Sequence, residues 1–536
     1  MNDIPDGLNS KCRESLLLPN DPSTFTIPSS LAYLLQTNEA PSESEVEDLK
    51  NSRERVGRSI AELDEKIHDL SDTPETLRLE RARQQGIYAE YTTILAPIRR
   101  IPSETLYEIF SHAQEEYHRV FDMSSPSWVL SWVCSSWRSV VVNCSEFWCN
   151  LDVCPRRNMT GYGIPFLRTT IGRAGERKLV LWLHYKNRLA SDSDIILLLH
   201  ALMESSDRWL VVRLNCLPEL LAAFTPIRGR LDSLEHLHIC CDDSSLDIHI
   251  GAFEVAPRLK SVSMSGLKDT IVSLPPYRLL EFHDDRPLGG NTLNAYFLDI
   301  IRNAPDLHKF SVGHQNLGVN GVLGVVPRIL HPNIHVLCAC EDSFLRSLTL
   351  PQLEHASLAV GNTNYPCPEG SLTGLYDLLQ NSYCSLRSLR IADPWSLEST
   401  LLDILQLTPP LEDFYIFTFC WGEQVNIIMQ IISRMSDQDE EHNLRFLPAL
   451  KSCDFNIKAS EVPAHFTFFG TPLVDMIASR WNTVPIRGEK LRRIHMAVDR
   501  YTPVPEGLSL YNQSRLKAYK EEGLDISVAD TDTVYV

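Results

Sequence analysis

Apolar residues recur in a short pattern beyond residue 175: an aliphatic residue, two variable residues, then two apolar residues separated by one. Because apolar and polar positions alternate at its end, the pattern predicts a strand with one face in the core. Eight clear copies are Leu234, Leu237, Ile239; Leu259, Val262, Met264; Leu307, Phe310, Val312; Leu353, Ala356, Leu358; Leu386, Leu389, Ile391; Leu411, Phe414, Ile416; Leu450, Cys453, Phe455; and Leu491, Ile494, Met496. Weaker copies lie at Leu210, at Leu279 with Phe282, and at Ile334 with Leu337.

Segments with helical periodicity lie between these strands: Asp194 to Met203, Leu293 to Ile301, Leu372 to Leu379, Leu397 to Leu405, Val425 to Met435 and Leu473 to Trp481. Strand followed by helix, repeated, predicts an irregular α/β solenoid with parallel strands over residues 175–528. A helix from Leu508 to Glu522 and a last strand at Leu524, Ile526 and Val528 would cap it, and 529–536 would be a frayed tail. A general α/β domain is the alternative.

The amino-terminal part has a different period. Two series repeat every seven residues and are apolar except at Arg53: Leu49, Val56, Leu63, Leu70 and Val46, Arg53, Ile60, Ile67. Residues 71–74 are predicted to end this helix, and Thr76 to Leu95 has a second helical pattern. These patterns predict a helical hairpin or coiled-coil-like segment over 43–95 that closes on itself, with self-association through the same seam as the alternative.

Residues 1–42 are rich in Pro, Ser, Asn and Asp and are predicted to be a flexible segment, although Ile27 to Leu35 could dock onto the next domain.

Three short helices are predicted between residues 96 and 150. Pro102 and Ser103 begin a helix on which Leu106, Ile109 and Phe110 share one face. A later helix carries Val129, Val133, Trp137 and Val141, and the segment closes with Phe147 and Trp148.

The leading proline, the Ile-Phe pair, the Val-Cys-x-x-Trp-Arg run and the closing Phe-Trp resemble an F-box. With the repeats beyond it, the chain resembles fungal F-box proteins that carry a C-terminal leucine-rich-repeat-like domain. The resemblance implies docking onto the Skp-type adaptor of a cullin-RING ubiquitin ligase. By position it assigns that docking to Pro102, Leu106, Ile109 and Phe110, supported by Val133, Trp137 and Arg138. It also predicts that Leu106→Asp or Phe110→Asp abolishes adaptor binding while the protein stays folded.

Composition narrows the classes of function. The chain has 536 residues with 50 Lys and Arg against 69 Asp and Glu, a net charge of −19. Such a charge disfavours nucleic acids and anionic membranes. Residues 1–22 lack a signal-like apolar stretch, and the most apolar run, Ile195 to Met203, is too short to span a membrane. Fourteen cysteines without a CxxC pair fit reduced core thiols. We therefore expect a soluble protein of the cytoplasm, the nucleus or both.

No nucleotide, hydrolase or metalloprotease motif occurs, so we expect neither catalysis nor a cofactor. The best candidate for chemistry is a group of potential metal ligands: His236, His238, Cys240, Cys241, Asp242, Asp243 and His249. Because Leu237 and Ile239 take the core side of the strand, His236, His238 and Cys240 are expected to face outward. No zinc-type spacing supports a metal, so none is predicted, and a metal-dependent enzyme stays a minor alternative.

The outward strand positions would form the recognition face of the solenoid. They include Ser263, Ser311, Arg390, Tyr415, Asp454 and His495, of which Arg390, Tyr415 and His495 are predicted to bind a target. The leading hypothesis is a non-catalytic substrate receptor of an SCF-type ligase that binds the adaptor, and through it the cullin, together with an unknown protein target. The alternative is a repeat scaffold for protein–protein interaction without a ligase role.

Overall fold

The structure is a computed structural model that forms two compact units, one of residues 1–151 and 169–177, the other of residues 152–168 and 178–536. It describes residues 26–37, 39–69, 75–155, 163–185, 192–241, 249–267, 270–288, 291–314, 328–358, 367–392, 399–420, 424–440, 443–459, 466–482, 490–500, 508–530 and 533–536. Within these ranges, no helix has both the length and the apolar character needed to cross a membrane.

The first unit is mainly helical. Its helices are α1 (Tyr33–Thr37), α2 (Glu43–Asp69), α3 (Glu75–Ile94), α4 (Ser103–Ala113), α5 (Pro126–Val133) and α6 (Ser135–Asn143), and its short strand β1 is His118–Arg119. Strand β2 (Asn150–Val153) and helix α7 (Gly163–Arg173) include two of the three boundaries between the two units.

Helices α2 and α3 form the predicted antiparallel hairpin, and the heptad residues Leu49, Val56 and Leu63 are buried along it. Leu70 lies outside the described residues. The apolar seam is therefore covered within the single chain, as expected for a hairpin that closes on itself.

The segment before the hairpin is also packed. Leu31 and Leu34 join a buried cluster with residues of α2 and α3, among them Tyr91. The Arg99 guanidinium donates a hydrogen bond of 2.6 Å to the carbonyl of Leu34. The docking of Ile27 to Leu35, left open as the alternative to a flexible segment, is therefore present, because Leu31 and Leu34 fill the end of the hairpin core.

The predicted helix that carries Val129 through Val141 is instead two helices, α5 and α6. Cys134 separates them with an extended φ of −161°, and its sulfur accepts a hydrogen bond of 3.5 Å from the backbone N–H of Trp137. This cap satisfies one of the donors at the start of α6. The break makes α4, α5 and α6 the three short helices that the sequence predicts.

The second unit is an α/β structure built on one large sheet of parallel strands, in which neighbours in space follow the order of the chain. The main strands are β3 (Leu179–Tyr185), β4 (Trp209–Cys216), β5 (His236–Cys240), β7 (Ser261–Ser265), β9 (Glu281–Leu288), β10 (Lys309–His314), β12 (Val336–Cys338), β14 (His355–Leu358), β15 (Ser388–Ala392), β16 (Asp413–Cys420), β17 (Ser452–Ala459), β18 (Arg493–Arg500) and β19 (Asp525–Asp530). Neighbouring strands of this series pair in parallel, as β16 does with β17 and β17 with β18.

The eight clear sequence copies each coincide with one strand, and their apolar residues are buried. The weak copy at Leu210 is shifted by one residue, because Trp209, Val212 and Leu214 are the buried positions of β4. Strand β3 is absent from the predicted copies, although its residues 179, 181, 183 and 185 alternate with outward positions.

The helices of the second unit are α8 (Asp192–Met203), α9 (Pro218–Leu221), α10 (Asn291–Asn303), α11 (Asp342–Arg346), α12 (Ser371–Ser382), α13 (Thr400–Leu407), α14 (Gln424–Arg434), α15 (Phe466–Asn482) and α16 (Leu510–Glu521). All six helices predicted between strands are present, and α16 is the predicted terminal helix. Two small parallel pairs add β6 (His249–Ile250) with β8 (Ile271–Val272), and β11 (Ile329–Leu330) with β13 (Leu348–Thr349).

Phe414 and Tyr415 are adjacent in β16, so substituting each of them tests whether buried and outward positions alternate along the strand. Phe414 is buried with its ring edge against Phe455, while Tyr415 points to the other side of β16. Phe414→Ala is expected to lower the free energy of unfolding by about 3–5 kcal/mol, and Tyr415→Ala by about 1 kcal/mol or less. Urea unfolding of the full chain, followed by circular dichroism, measures both. Equal losses would contradict the assignment of the two faces.

Candidate functional site

Aromatic side chains fix helices α4, α5 and α6 in the first unit. The Phe110 ring meets Trp137 edge to face with centroids 4.8 Å apart, which joins α4 to α6. Trp128 of α5 meets Trp148 in the same way at 5.1 Å, and the Trp148 indole N–H donates a 2.8 Å hydrogen bond to the carbonyl of Val141. These contacts tie all three helices to one core, so residues on their outer sides are held in fixed positions.

Two of the residues expected to contact an adaptor lie inside this core. Leu106 is 2% exposed and Phe110 is 1% exposed, and Trp137 is half-buried. The expectation that Leu106→Asp or Phe110→Asp leaves the protein folded is therefore wrong, because either change would bury an unpaired carboxylate. The charge would disrupt the unit itself, whatever the unit binds.

The other four expected residues are exposed. They are Pro102, which precedes α4, Ile109 on α4, Val133 on α5 and Arg138 on α6. Ile109 is 48% exposed and Val133 is 51% exposed, which is high for large apolar side chains.

Helix α5 carries an apolar face toward solvent. Val129, Trp132 and Val133 are 44%, 51% and 51% exposed, and their spacing of three and four residues places them on one side of the helix. Trp128 and Ser131, on the opposite side, are buried. We call Val129, Trp132 and Val133 the α5 apolar face.

Sequence reasoning missed Trp132. The sequence did contain a signal for Trp132, because α5 is apolar on nearly all sides. A helix of that kind is normally packed against other residues on each side. Only one side is covered by the first unit. The α5 apolar face can bury apolar area against a partner, and it carries no group suited to catalysis.

A buried histidine lies beneath these helices. The His118 ring packs against both Trp128 and Trp148, and its Nδ1 is 3.1 Å from the hydroxyl of Ser125. The Arg173 guanidinium sits over the same two tryptophan rings, 4.7 and 4.5 Å from their centroids. Burial, followed by the positive charges of Arg173 and Arg119, lowers the pKa of His118 to about 4. The core is therefore built for a neutral imidazole.

In the second unit, the three residues predicted to bind a target come together on the outward face of the sheet. Arg390 pairs in register with Tyr415, Tyr415 with Asp454, and Asp454 with His495. The Arg390 guanidinium lies 4.3 Å from the centroid of the Tyr415 ring. The four side chains form one row across β15 to β18.

Asp454 is the unusual member of that row. Its Oδ1 is covered by neighbouring atoms and has no hydrogen-bond partner among the described residues. Burial raises the pKa of this carboxyl, although His495 and Arg390 act against the rise. The row therefore offers a cation on an aromatic ring beside an unsatisfied acceptor, which suits a polar protein segment better than an apolar one.

Among the described residues, the candidate metal ligands do not come together. His236 and His238 point outward on β5 as expected, while Cys241 is buried, and residues 242 and 243 lie outside the described residues. Hydrogen bonding between the thiols of Cys216 and Cys241, then burial, raises the pKa of Cys216. Within the described part of the chain, no three His, Cys, Asp or Glu side chains are arranged to hold a metal ion.

Comparison with known proteins adds no identification. No protein-family model matches the sequence, and no curated protein matches it. The class that the structure defines is an α/β protein with a helical amino-terminal unit and a large sheet of parallel strands.

His118 predicts a pH dependence of stability. Its pKa is below the unfolded value of about 6.5, so the unfolded chain binds the proton more readily. The stabilisation is complete above that value and is lost as the pH falls toward 4. From pH 7 to pH 5 we expect His118 to cost the first unit about 2 kcal/mol.

Thermal unfolding of the full chain at the two pH values tests this. His118→Gln should lose part of the pH dependence, and His112→Gln, at an exposed position on α4, should keep all of it. An unchanged pH dependence in His118→Gln would contradict the assignment.

Proposed function

We propose that the chain is the substrate-recognition subunit of an SCF-type cullin-RING ubiquitin ligase. In this proposal residues 96–150 are an F-box that binds the Skp-type adaptor and, through it, the cullin. The second unit is a leucine-rich-repeat-like solenoid that binds a protein target. The observation that carries the proposal is the α5 apolar face, which lies within the segment whose sequence resembles an F-box.

The α5 apolar face is too small to bind the adaptor by itself, so neighbouring exposed residues must contribute to the interface. Burying the exposed half of three large apolar side chains contributes roughly 2–4 kcal/mol. A micromolar complex needs about 8 kcal/mol net, so Val129, Trp132 and Val133 alone are insufficient. The exposed residues Pro102, Ile109 and Arg138 would supply further contacts in the same interface.

The proposed role needs no catalytic residue in this chain. A receptor that holds an adaptor at one site and a target at another raises the effective concentration of the target near the conjugating enzyme, to millimolar values with suitable geometry. Proximity of this kind accelerates transfer without a reacting group in the receptor. The absence of catalytic motifs from the sequence is compatible with that role.

The row of Arg390, Tyr415, Asp454 and His495 is the proposed contact with the target. An aromatic ring, an arginine and an acceptor are typical of residues that dominate protein interfaces. The proposed receptor would act where the ligase machinery acts, in the cytoplasm, the nucleus or both.

Trp132→Asp and Val133→Asp are expected to reduce adaptor binding at least about tenfold, because each places a carboxylate in an apolar interface. Both positions are half-exposed, so the protein should stay folded. Binding of the full chain to a purified Skp-type adaptor is measured by surface plasmon resonance, and circular dichroism checks the fold.

Leu79→Asp is the matched control. Leu79 is a large apolar residue on α3, 63% exposed and outside the proposed F-box segment, so this variant should bind like the original chain. Failure of the unaltered, folded chain to bind the adaptor would favour a repeat scaffold without a ligase role. Equal binding by all three variants would exclude the α5 apolar face as the docking site.

A further inference from the structure

A cavity of about 390 Å³ opens in the second unit beside the carboxyl ends of α13 and α14. Leu405, Pro409, Phe446 and Leu447 give it an apolar wall. Its volume lies within the range of pockets that hold small molecules. Neither the target-binding row nor the α5 apolar face includes any of its residues.

Two arginines at this cavity have no ionic partner among the described residues. Arg434 and Arg445 both line it, and neither has a carboxylate within ion-pair distance in that part of the chain. Asp437 also lines the cavity and is exposed. Guanidinium groups bind carboxylate and phosphate oxygens in pairs, so two of them beside a cavity suit an anionic group.

A third arginine, Arg480, adds positive charge next to the residues that line the cavity. Arg480 is 2% exposed, and its guanidinium donates hydrogen bonds to the carbonyls of Met435, Phe446 and Leu447 at 2.9, 2.6 and 3.0 Å. Burial lowers the pKa of Arg480 to about 10, so the group stays charged at neutral pH. Its hydrogen bonds are to neutral carbonyls, two of which belong to residues of the cavity wall.

The charges around the cavity do not cancel. The carboxyl ends of α13 and α14 each contribute about half a negative charge, and Asp437 contributes one more. Three guanidinium groups outweigh these and leave a positive balance of about one charge. Of these charged side chains, only that of Arg480 is buried, and solvent screens its charge weakly.

The backbone at the cavity is also held in an uncommon conformation. Leu447 has a φ of 49°, in the left-handed region that residues other than glycine rarely adopt. Its carbonyl accepts hydrogen bonds from Arg480 and from the backbone N–H of Leu450, which keep it there. Conformations of this kind concentrate at binding sites, because the surrounding structure must maintain them.

We propose that this cavity binds a small molecule that carries a carboxylate or phosphate group and a short apolar part. The anionic group would lie between Arg434 and Arg445, and the apolar part would contact Leu405, Phe446 and Leu447. This site goes beyond the proposed ligase function and does not depend on it, since it involves neither the adaptor nor the target.

Ligand-observed NMR and isothermal titration calorimetry on the full chain test the site with three probes: sodium benzoate, inorganic phosphate and the neutral analogue benzamide. At least one of the two anions should bind, and benzamide should not. Benzoate binding alone would indicate a carboxylate with an apolar part, and phosphate binding alone would indicate a phosphate-bearing ligand.

Arg445→Gln and Arg434→Gln should each weaken anion binding about tenfold, because each removes a charge-assisted contact. Arg302→Gln is the matched control, because it removes the same charge from an exposed position on α10 and should bind like the original chain. The proposal is overturned if neither anion binds, if benzamide binds as well as benzoate, or if the Arg445 and Arg434 variants bind like the control.

Discussion

The second unit depends on one row of main-chain hydrogen bonds that fixes how each strand is placed against the strand before it. The residue that precedes a strand donates its backbone N–H to the carbonyl of the corresponding residue one strand earlier, at 2.7–2.9 Å. The pairs are Glu235 to Leu210, Lys260 to Glu235, Leu280 to Lys260, His308 to Leu280, His335 to His308, Glu354 to His335, Arg387 to Glu354, Glu412 to Arg387, Lys451 to Glu412 and Arg492 to Lys451.

A slip of one residue would turn every buried side chain of a strand to the outer face. The row of hydrogen bonds therefore determines both the core and the outward surface. It also places Arg390, Tyr415, Asp454 and His495 side by side, although up to 41 positions separate neighbours in the chain. The proposed recognition of a target by this face would therefore depend on strand register, because each strand contributes only one residue of the row.

Much of this architecture could be predicted from periodicity, because alternation identifies a half-buried strand without knowledge of its partners. Periodicity could not predict features that depend on contacts between residues distant in sequence or on a local helix cap. The copy at Leu210 was misplaced because Trp209 is the residue that fills the core, and the docking of Leu34 depends on a space between two later helices. Cys134 breaks a helix through a local cap that its apolar neighbours concealed.

The candidate sites also depend on contacts between residues that are distant in sequence. The sequence placed Leu106 and Phe110 correctly on one helical face, but it could not show that this face is covered by the first unit's own core. The face that stays exposed belongs to α5, where Trp132 lies. The cavity near Arg445 is lined by residues of three separate segments, 405–409, 434–437 and 445–447, and its charge depends on Arg480 of a later helix, so no local pattern signals it.

If the α5 apolar face binds a Skp-type adaptor, as proposed, the bound adaptor should protect the backbone amides of α5 from exchange. Hydrogen–deuterium exchange of the full chain, with and without the adaptor, measures this residue by residue. Slower exchange is expected in 126–133 when the adaptor is present, with exchange in the sheet strands unchanged. Adaptor binding that leaves exchange in 126–133 unaltered would contradict the proposal.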